Sequence, residues 1–557
     1  MDYGYTSLLP PLLAIALALL TRHVLLPLAA GILVGAGLLA WGQTDAGFLI
    51  STGEIFIRSI VDSVRDSDHL RVLVFTLLLG MMVGVIEVSG AMRRTIARLA
   101  RRVRDRRGTQ CLIAATGLAV FFDDYANTLL VGGTMRSTSD RFGISRAKLA
   151  YLVDSTAAPV AGLALVSTWV ATELSYLQAG IDASRYAETA DGASIQVFDI
   201  FIQSIPYRFY PWFALILVFV IARTGRDFGP MRVAEQEATT RLIAEKEKPS
   251  ETATKDAIAG NSIADTLAAL LPIAGCLVAV LATLIVTGRA SVSGGGLAES
   301  EVTEATLPPT DTGFMSGLRI AGDVIGSGDS YLALMVGGGS GLVIALVIAF
   351  AVSKLSGSKV GKGLLDGAMQ MMPAMTVLWL AWSLSAMTGK ESLDTGGFLS
   401  SVLSDAIDIR LMPTCVFILA GAIAFATGTS WGTMAIVTPI AVSLVLDMQA
   451  DAAAGIANVA VNSPIALATF SGVLAGAIFG DHCSPISDTT VLSSRACGCD
   501  HVLHVRTQMP YALLAGAVCV VTGTLPVAFG VPVWLCLAVG TASLIAIVRW
   551  LGVRPVA

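Results

Sequence analysis

Ala264–Ile285 and Tyr331–Val352 are apolar blocks long enough to cross a bilayer as helices. No water reaches the backbone in such a setting, so only helices and closed barrels satisfy its polar groups. A barrel strand would alternate apolar and polar residues over roughly ten positions. These blocks do not alternate, so the expected fold class is an all-α polytopic membrane protein. Composition agrees. Of 557 residues, 54% are apolar and 14% charged, where a soluble domain carries about 25% charged residues. Lipid is the expected surrounding, and no nucleic-acid partner is expected. Met1-Asp2-Tyr3 lacks a basic leader, so the first apolar helix is expected to stay in the membrane.

Candidate spans lie at 8–20, 24–41, 71–89, 148–177, 209–222, 264–287, 330–353, 363–388, 456–494, 509–530 and 533–549. Lys and Arg at the span ends set orientation. The connection 90–108 carries eight arginines, 223 onward carries Arg223, Arg226 and Arg232, and 354–362 carries Lys354, Lys359 and Lys362. These are expected on the cytoplasmic side. The arginines of 90–108 also fit an amphipathic helix on anionic lipid, but a plain positive-inside loop is favoured. The acidic connections 42–70, 178–207, 288–329 and 389–410 are expected outside.

Segment 109–135 is flanked by Arg106 and Arg107 before it and by Arg136 and Arg141 after it. A single span would put one basic flank outside, whereas a re-entrant hairpin keeps both inside. Segment 411–446 has mainly acidic flanks and reads as a hairpin entered from outside. The order is three spans, a hairpin and two spans, then the same again inverted. This gives an N-terminal repeat 1–222, a cytoplasmic linker 223–262, a C-terminal repeat 263–530 and an extra span in 531–557. Inverted repeats are a transporter signature. The polar segments 223–262 and 288–329 are expected to be flexible.

Four polar clusters interrupt the apolar segments. Asp123, Asp124, Asn127 and Thr128 lie at the first hairpin tip, and Thr427, Thr429, Ser430 and Thr433 at the second. Asp154, Ser155 and Thr156 lie in span 148–177, expected to break at Asp154–Pro159. Asp481, His482, Ser484, Ser487, Asp488 and Thr489 lie in span 456–494, expected to break at Gly480–Asp488. A carboxylate at bilayer depth costs roughly 2.5–3.5 kcal/mol, so such residues mark an ion or substrate path. Their ligating atoms are oxygen, apart from the His482 ring, which suits a hard cation such as sodium. Buried carboxylates close together also bind protons more readily, so proton and cation can compete for one site.

Blander readings apply elsewhere. Glu87, Glu173 and Asp366 read as structural groups near span ends, and Trp431 as packing. His482 serves either as a proton carrier or as a donor to Asp481. Cys497-Gly-Cys499 with His501 and His504 misses the usual zinc spacing. Gly428-Thr429-Ser430-Trp431-Gly432 matches a nucleophile elbow but lacks the strand–turn–helix context. No enzyme activity and no cofactor are expected. No basic side chain is apparent at mid-membrane.

Phe122-Asp123-Asp124-Tyr125-Ala126-Asn127-Thr128, Asp154–Pro159, Thr427–Thr433 and Gly480–Thr489 together resemble the NhaC-type sodium/proton antiporters over roughly 70–550. The resemblance implies the ion transporter superfamily fold, with a hairpin and a broken helix in each repeat, in a prokaryotic cytoplasmic membrane. It implies a homodimer formed through a scaffold domain. Sodium would be held by Asp124, Asn127, Asp154, Asp481, Ser484 and Asp488, and protons would compete for the carboxylates. Relatives include exchangers and carriers of small carboxylates or amino acids, so a sodium-coupled organic carrier is the alternative.

Overall fold

The apolar blocks coil into helices throughout. The structure, a computed structural model, describes residues 3–21, 23, 25–41, 47–184, 197–246, 262–294, 328–389, 391–403, 407–452 and 461–554. In chain order the helices are α1 Leu9–Thr21, α2 Leu25–Ala40, α3 Phe48–Arg65, α4 Ser67–Ser89, α5 Ala91–Ala100, α6 Arg106–Ala119, α7 Asp124–Arg141 and α8 Arg146–Ala161. They continue with α9 Val170–Ala183, α10 Val197–Ser204, α11 Phe209–Thr224, α12 Gly229–Lys246, α13 Ser262–Gly294, α14 Ser330–Val347, α15 Gly357–Thr388 and α16 Thr395–Leu403. The last are α17 Met412–Thr427, α18 Ser430–Ala452, α19 Pro464–Cys483, α20 Asp488–Cys497, α21 His501–Val518, α22 Leu525–Ala528 and α23 Val533–Leu551. Among the described residues, nine helices are long and apolar enough to cross a membrane. The chain is an all-α, multi-pass membrane protein.

One group of helices is built on close backbone contact. α4 packs against α14 and α15, and α13 packs against α14. A Cβ at Gly84 would stand 2.1 Å from the Gly363 carbonyl oxygen, and one at Gly367 would stand 2.1 Å from that of Gly80. Small residues four apart on both helices allow this approach, the usual device where lipid gives no hydrophobic drive to associate.

The second group carries the polar clusters. α6 and α7 form the first hairpin, and α17 and α18 the second. Gly476 and Gly480 of α19 face α17 so closely that a Cβ on either would meet the carbonyl of Phe417 at 2.3 Å or of Gly421 at 2.1 Å. α9 packs on α18, and α20 packs on α7. The half-helix after each break therefore leans on a hairpin arm from the other half of the chain. The arms of the second hairpin fall within Ile409–Thr427 and Ser430–Ala450, each long and apolar enough to cross alone. The first hairpin's arms are not.

Both breaks differ from expectation. Asp154–Pro159 is continuous helix, and the first break falls at 162–169. Pro159 removes one donor, and α8 still runs on to Ala161. The second break is confined to 484–487; Gly480–Cys483 stays helical. Asp481 is thus near the end of its helix while Asp154 is well inside α8, so the two acidic motifs do not occupy equal positions. α19 starts at Pro464 with Ser463 as its cap, later than residue 456, and 453–460 lie outside the described residues.

Polar connections prove more ordered than their composition suggests. α3 occupies much of 42–70, α10 part of 178–207, and α16 part of 389–410. The linker contains α12, whose Glu235 accepts from Arg106 and from the Ser145 amide. Residues 247–261 and 295–327 lie outside the described residues. The stretch 90–108 contains helix α5, amphipathic as the lipid reading required. Its Arg94 and Arg98, however, both reach Asp265 of α13, at 2.9 and 3.1 Å. Protein therefore covers that side of the helix.

Candidate ion-binding site

Each hairpin tip rests on the break in its own half. Asp123 caps α7, accepting from the Ala126 amide at 2.7 Å, and its other oxygen accepts from Thr168 at 3.1 Å. Thr168, inside the first break, also donates its amide to the Phe122 carbonyl at 2.9 Å. In the second half, the Asp488 amide reaches the Gly428 carbonyl at 3.4 Å. Gly428 has φ +70°, and a Cβ there would lie 2.6 Å from the Ile486 carbonyl. Only glycine fits this turn without strain.

Asn127 ties the first tip to α8. Its amide donates to the carbonyls of Gly117, Val120 and Thr156 at 2.7, 3.1 and 3.2 Å. Its own Oδ1 is buried with no partner. Asp124 is buried, and neither carboxylate oxygen accepts a hydrogen bond. Trp169 is its neighbour, but the indole Nε1 is itself unpartnered. Thr128 is buried beside them.

The halves are stitched together by side chains. Asp154 Oδ2 accepts from Thr490 at 3.1 Å and from Gln508 at 2.6 Å, and His504 Nε2 lies 3.9 Å away. Asp481 Oδ2 accepts from Thr489 at 2.8 Å. Oδ1 of Asp154 and of Asp481 are both buried without partners. Tyr125 donates to Asp488 at 2.5 Å, and Asp488 is exposed. His482 Nδ1 pairs with the Tyr210 hydroxyl at 2.9 Å, so the ring does not serve Asp481. Trp431 packs edge-on against Trp169 at 5.4 Å.

The remaining hydroxyls divide by role. Thr156, Thr427 and Thr433 donate back into their own helices. Ser487 caps α20, and Thr429 and Ser484 accept local amides. Ser155 is buried near Tyr151. Ser430 Oγ is buried with no partner. No group of three or more His, Cys, Asp or Glu among the described residues is placed to hold a metal ion.

Several participants carry no strong sequence signal. Thr168, Tyr210, Thr490, His504 and Gln508 are single polar residues whose roles arise from pairing. Arg208 is the largest omission. It is buried at the first break, donates to the Gly162 carbonyl, and pairs with Glu173 at 2.7 Å. A basic residue therefore does lie inside the helical assembly.

The Na+/H+ antiporter family model matches residues 160–318 and 312–525, well over half of the sequence. The chain belongs to the Na+/H+ antiporter family. An uncharacterized Haemophilus influenzae protein is 33% identical to this antiporter-family chain over 509 residues, 91% of this chain and 88% of that one. The malate-2H+/Na+-lactate antiporter of Bacillus subtilis is 26% identical over 180 residues, 30% of this chain and 34% of that one. Among solved structures, the Alcanivorax borkumensis YdaH transporter, described as having an unusual topology, superposes with a TM-score of 0.53. That match covers 94% of this chain and 99% of YdaH at 16% identity, a likeness of fold. Membership makes the chain a sodium-linked antiporter of the membrane, consistent with a bacterial inner membrane.

Proposed function

We propose that the chain exchanges sodium for protons across a prokaryotic cytoplasmic membrane. The observation that carries this reading is Asp124, with both carboxylate oxygens buried and without a donor. An ionised carboxylate in that state is strongly destabilised until a cation or a proton joins it. Either occupant relieves the same defect, and one excludes the other, which is the logic of exchange. Asn127 Oδ1, Ser430 Oγ and Asp481 Oδ1 are acceptors in the same condition. Sodium is assigned to these oxygens and Asp124, with Ser484 and exposed Asp488 at the approach. Asp154 already takes two hydrogen bonds and faces an imidazole. Protons compete with sodium at Asp124, and Asp154 is a second proton acceptor beside that site.

The tip-on-break arrangement in each half supports two inverted repeats, 1–222 and 263–530, with 223–262 as linker and 531–557 as an added span. The glycine-packed helices α4, α14 and α15 then form the scaffold, and a homodimer through it is proposed. Purified protein in vesicles with an outward sodium gradient is the test. Wild type should change the lumenal pH with no organic solute present, and Asp124→Asn should lose that response. Full activity in Asp124→Asn would refute the site.

Arg208 favours a second reading, a sodium-coupled exchanger of small carboxylates, because a buried guanidinium now held by Glu173 can be handed to a substrate carboxylate in its place. Sodium movement that strictly requires an organic acid would select it.

A further inference from the structure

Arginines from three distant parts of the chain meet at the end of α11. Arg107 stands at the start of α6, Arg223 and Arg226 on either side of the α11 cap, and Arg549 and Arg554 on either side of the end of α23. A Cβ at Gly225, the cap, would stand 3.1 Å from Arg107 Nε. Arg226 Nη1 donates to the carbonyls of Arg549 and Gly552 at 2.7 and 3.0 Å. Arg554 Nε donates to the Thr224 carbonyl at 3.3 Å. These acceptors belong to the helix ends, where carbonyls lack a partner within the helix. The bonds pin two guanidiniums over the joint between α11 and α23 and leave most of their N–H groups unused.

The neighbouring carboxylates are committed elsewhere. Asp105 caps α6 through the Gly108 amide, Asp227 is buried against Lys148, and Glu235 takes Arg106. Among the described residues, none of the five arginines pairs with a carboxylate. Arg107, Arg223, Arg549 and Arg554 are exposed. Their depth is set by α23. This helix buries one stripe, Cys536, Gly540, Leu544 and Val548, and its other faces are open to lipid. Exposed Trp534 and Trp550 stand near its two ends, about 24 Å apart along the axis. Tryptophan in such places marks the two headgroup levels. Arg549 precedes Trp550, so the cluster lies at the level of lipid phosphates. A positive-inside bias accounts for arginines on this side of the membrane, each in water on its own loop. It does not account for their gathering beside a lipid-facing helix with no carboxylate to meet them.

We propose that this cluster binds the headgroup of an anionic phospholipid. The phosphate accepts from the unused guanidinium N–H groups, and the acyl chains lie along the open faces of α23 below Trp550. Net charge selects the class. A zwitterionic headgroup brings an ammonium beside its phosphate, and here that ammonium meets guanidiniums and finds no free carboxylate. A glycerol headgroup brings no such cation. A soluble phosphate meets the same guanidiniums but gains nothing from the apolar faces of α23, so a lipid is the occupant. Once bound, it ties the ends of α6, α11 and α23 together at one face of the membrane and stabilises the fold there.

The test uses the full chain purified in detergent, with phosphatidylglycerol or phosphatidylcholine of the same acyl chains added. Native mass spectrometry reads lipid retention, and thermal unfolding reads stabilisation. An arginine near an anionic surface contributes about fivefold to affinity. Wild type should therefore retain phosphatidylglycerol far more strongly than phosphatidylcholine and melt higher with it. Arg107→Gln, Arg223→Gln and Arg549→Gln combined should weaken phosphatidylglycerol binding roughly a hundredfold. These three side chains have no protein partner among the described residues, so without lipid the triple variant should melt as wild type does. Arg93→Gln, Arg102→Gln and Arg506→Gln together remove the same charge from other exposed positions and should keep the preference. Equal retention of the two lipids by wild type would overturn the site, whether or not any variant folds. So would an intact preference in the triple variant, or an equal loss in the control. Stabilisation by inorganic phosphate to the same extent as by phosphatidylglycerol would overturn the lipid assignment.

Discussion

Asn127 joins a structural tie to a place in the proposed site. Its amide nitrogen holds three carbonyls from α6, the tip and α8, which leaves Oδ1 as a fixed acceptor. Asn127→Ala would leave these buried carbonyls short of a donor at about 1–3 kcal/mol for an unsatisfied group. We expect a lower melting midpoint in detergent together with weaker sodium affinity, read by thermal unfolding with and without sodium. A shift in melting without any change in sodium affinity would remove Asn127 from the site. Asp124, Asn127, Asp154 and Asp481 were legible as candidates because a polar residue in an apolar run is anomalous. Arg208 was not, since it stands just before an apolar run, where charge is ordinary. Thr490 and Gln508 were missed for a related reason. Each bonds a partner more than 300 positions away, which no local pattern records.

Elements were read well where hydrophobicity defines them and less well where they end. Gly, Ser and Pro show where a helix can loosen, and 154–159 and 480–488 both qualify by composition. The actual breaks depend on what receives the freed backbone groups. At the first break, Thr168 gives its amide to Phe122 and its hydroxyl to Asp123. Segment 154–159 instead stays helical, with Thr156 bonded back to Leu152. The α17–α19 pair makes a prediction at this scale. Gly476→Leu would drive a side chain into the Phe417 carbonyl, and nothing there can yield without parting the helices. Exchange should be abolished, and folded yield should fall sharply by size-exclusion chromatography. Gly339 has open space at its Cβ position, so Gly339→Ala is the matched control expected to keep both. Normal yield and activity for Gly476→Leu would show that the contact is dispensable.

For the whole molecule, α9 of the cluster-bearing group meets α15 of the glycine-packed group. Trp382 donates to Ser175, and Ser385 donates to the Ala179 carbonyl at 3.4 Å. If transport moves one group against the other, fixing this joint should stop it. In a background with the eight native cysteines replaced, Ala179→Cys with Ser385→Cys should lose exchange on oxidation and regain it with reductant. Disulfide formation confirmed by gel shift, with exchange unchanged, would place the moving boundary elsewhere. The same scale explains why the linker was misjudged. Charge marked it as a connection, but Lys148 and Tyr511, which bond Asp227, and Arg106 and Ser145, which bond Glu235, supply docking partners for its first half that lie far away in the chain.

Lys148 pairs with Asp227, both fully buried, and Tyr511 donates to the same carboxylate at 2.7 Å. The backbone of Asp227 exchanges two hydrogen bonds with Val553. The segment at Val553 is thus held to the backbone that carries a buried charge pair. Any handle for purification or imaging placed directly after Val553 would pull on that backbone pairing, and a chain cut before Val553 would lose it. Reagents appended at this end should be carried on a spacer, and a truncated chain should not be taken as equivalent to the whole.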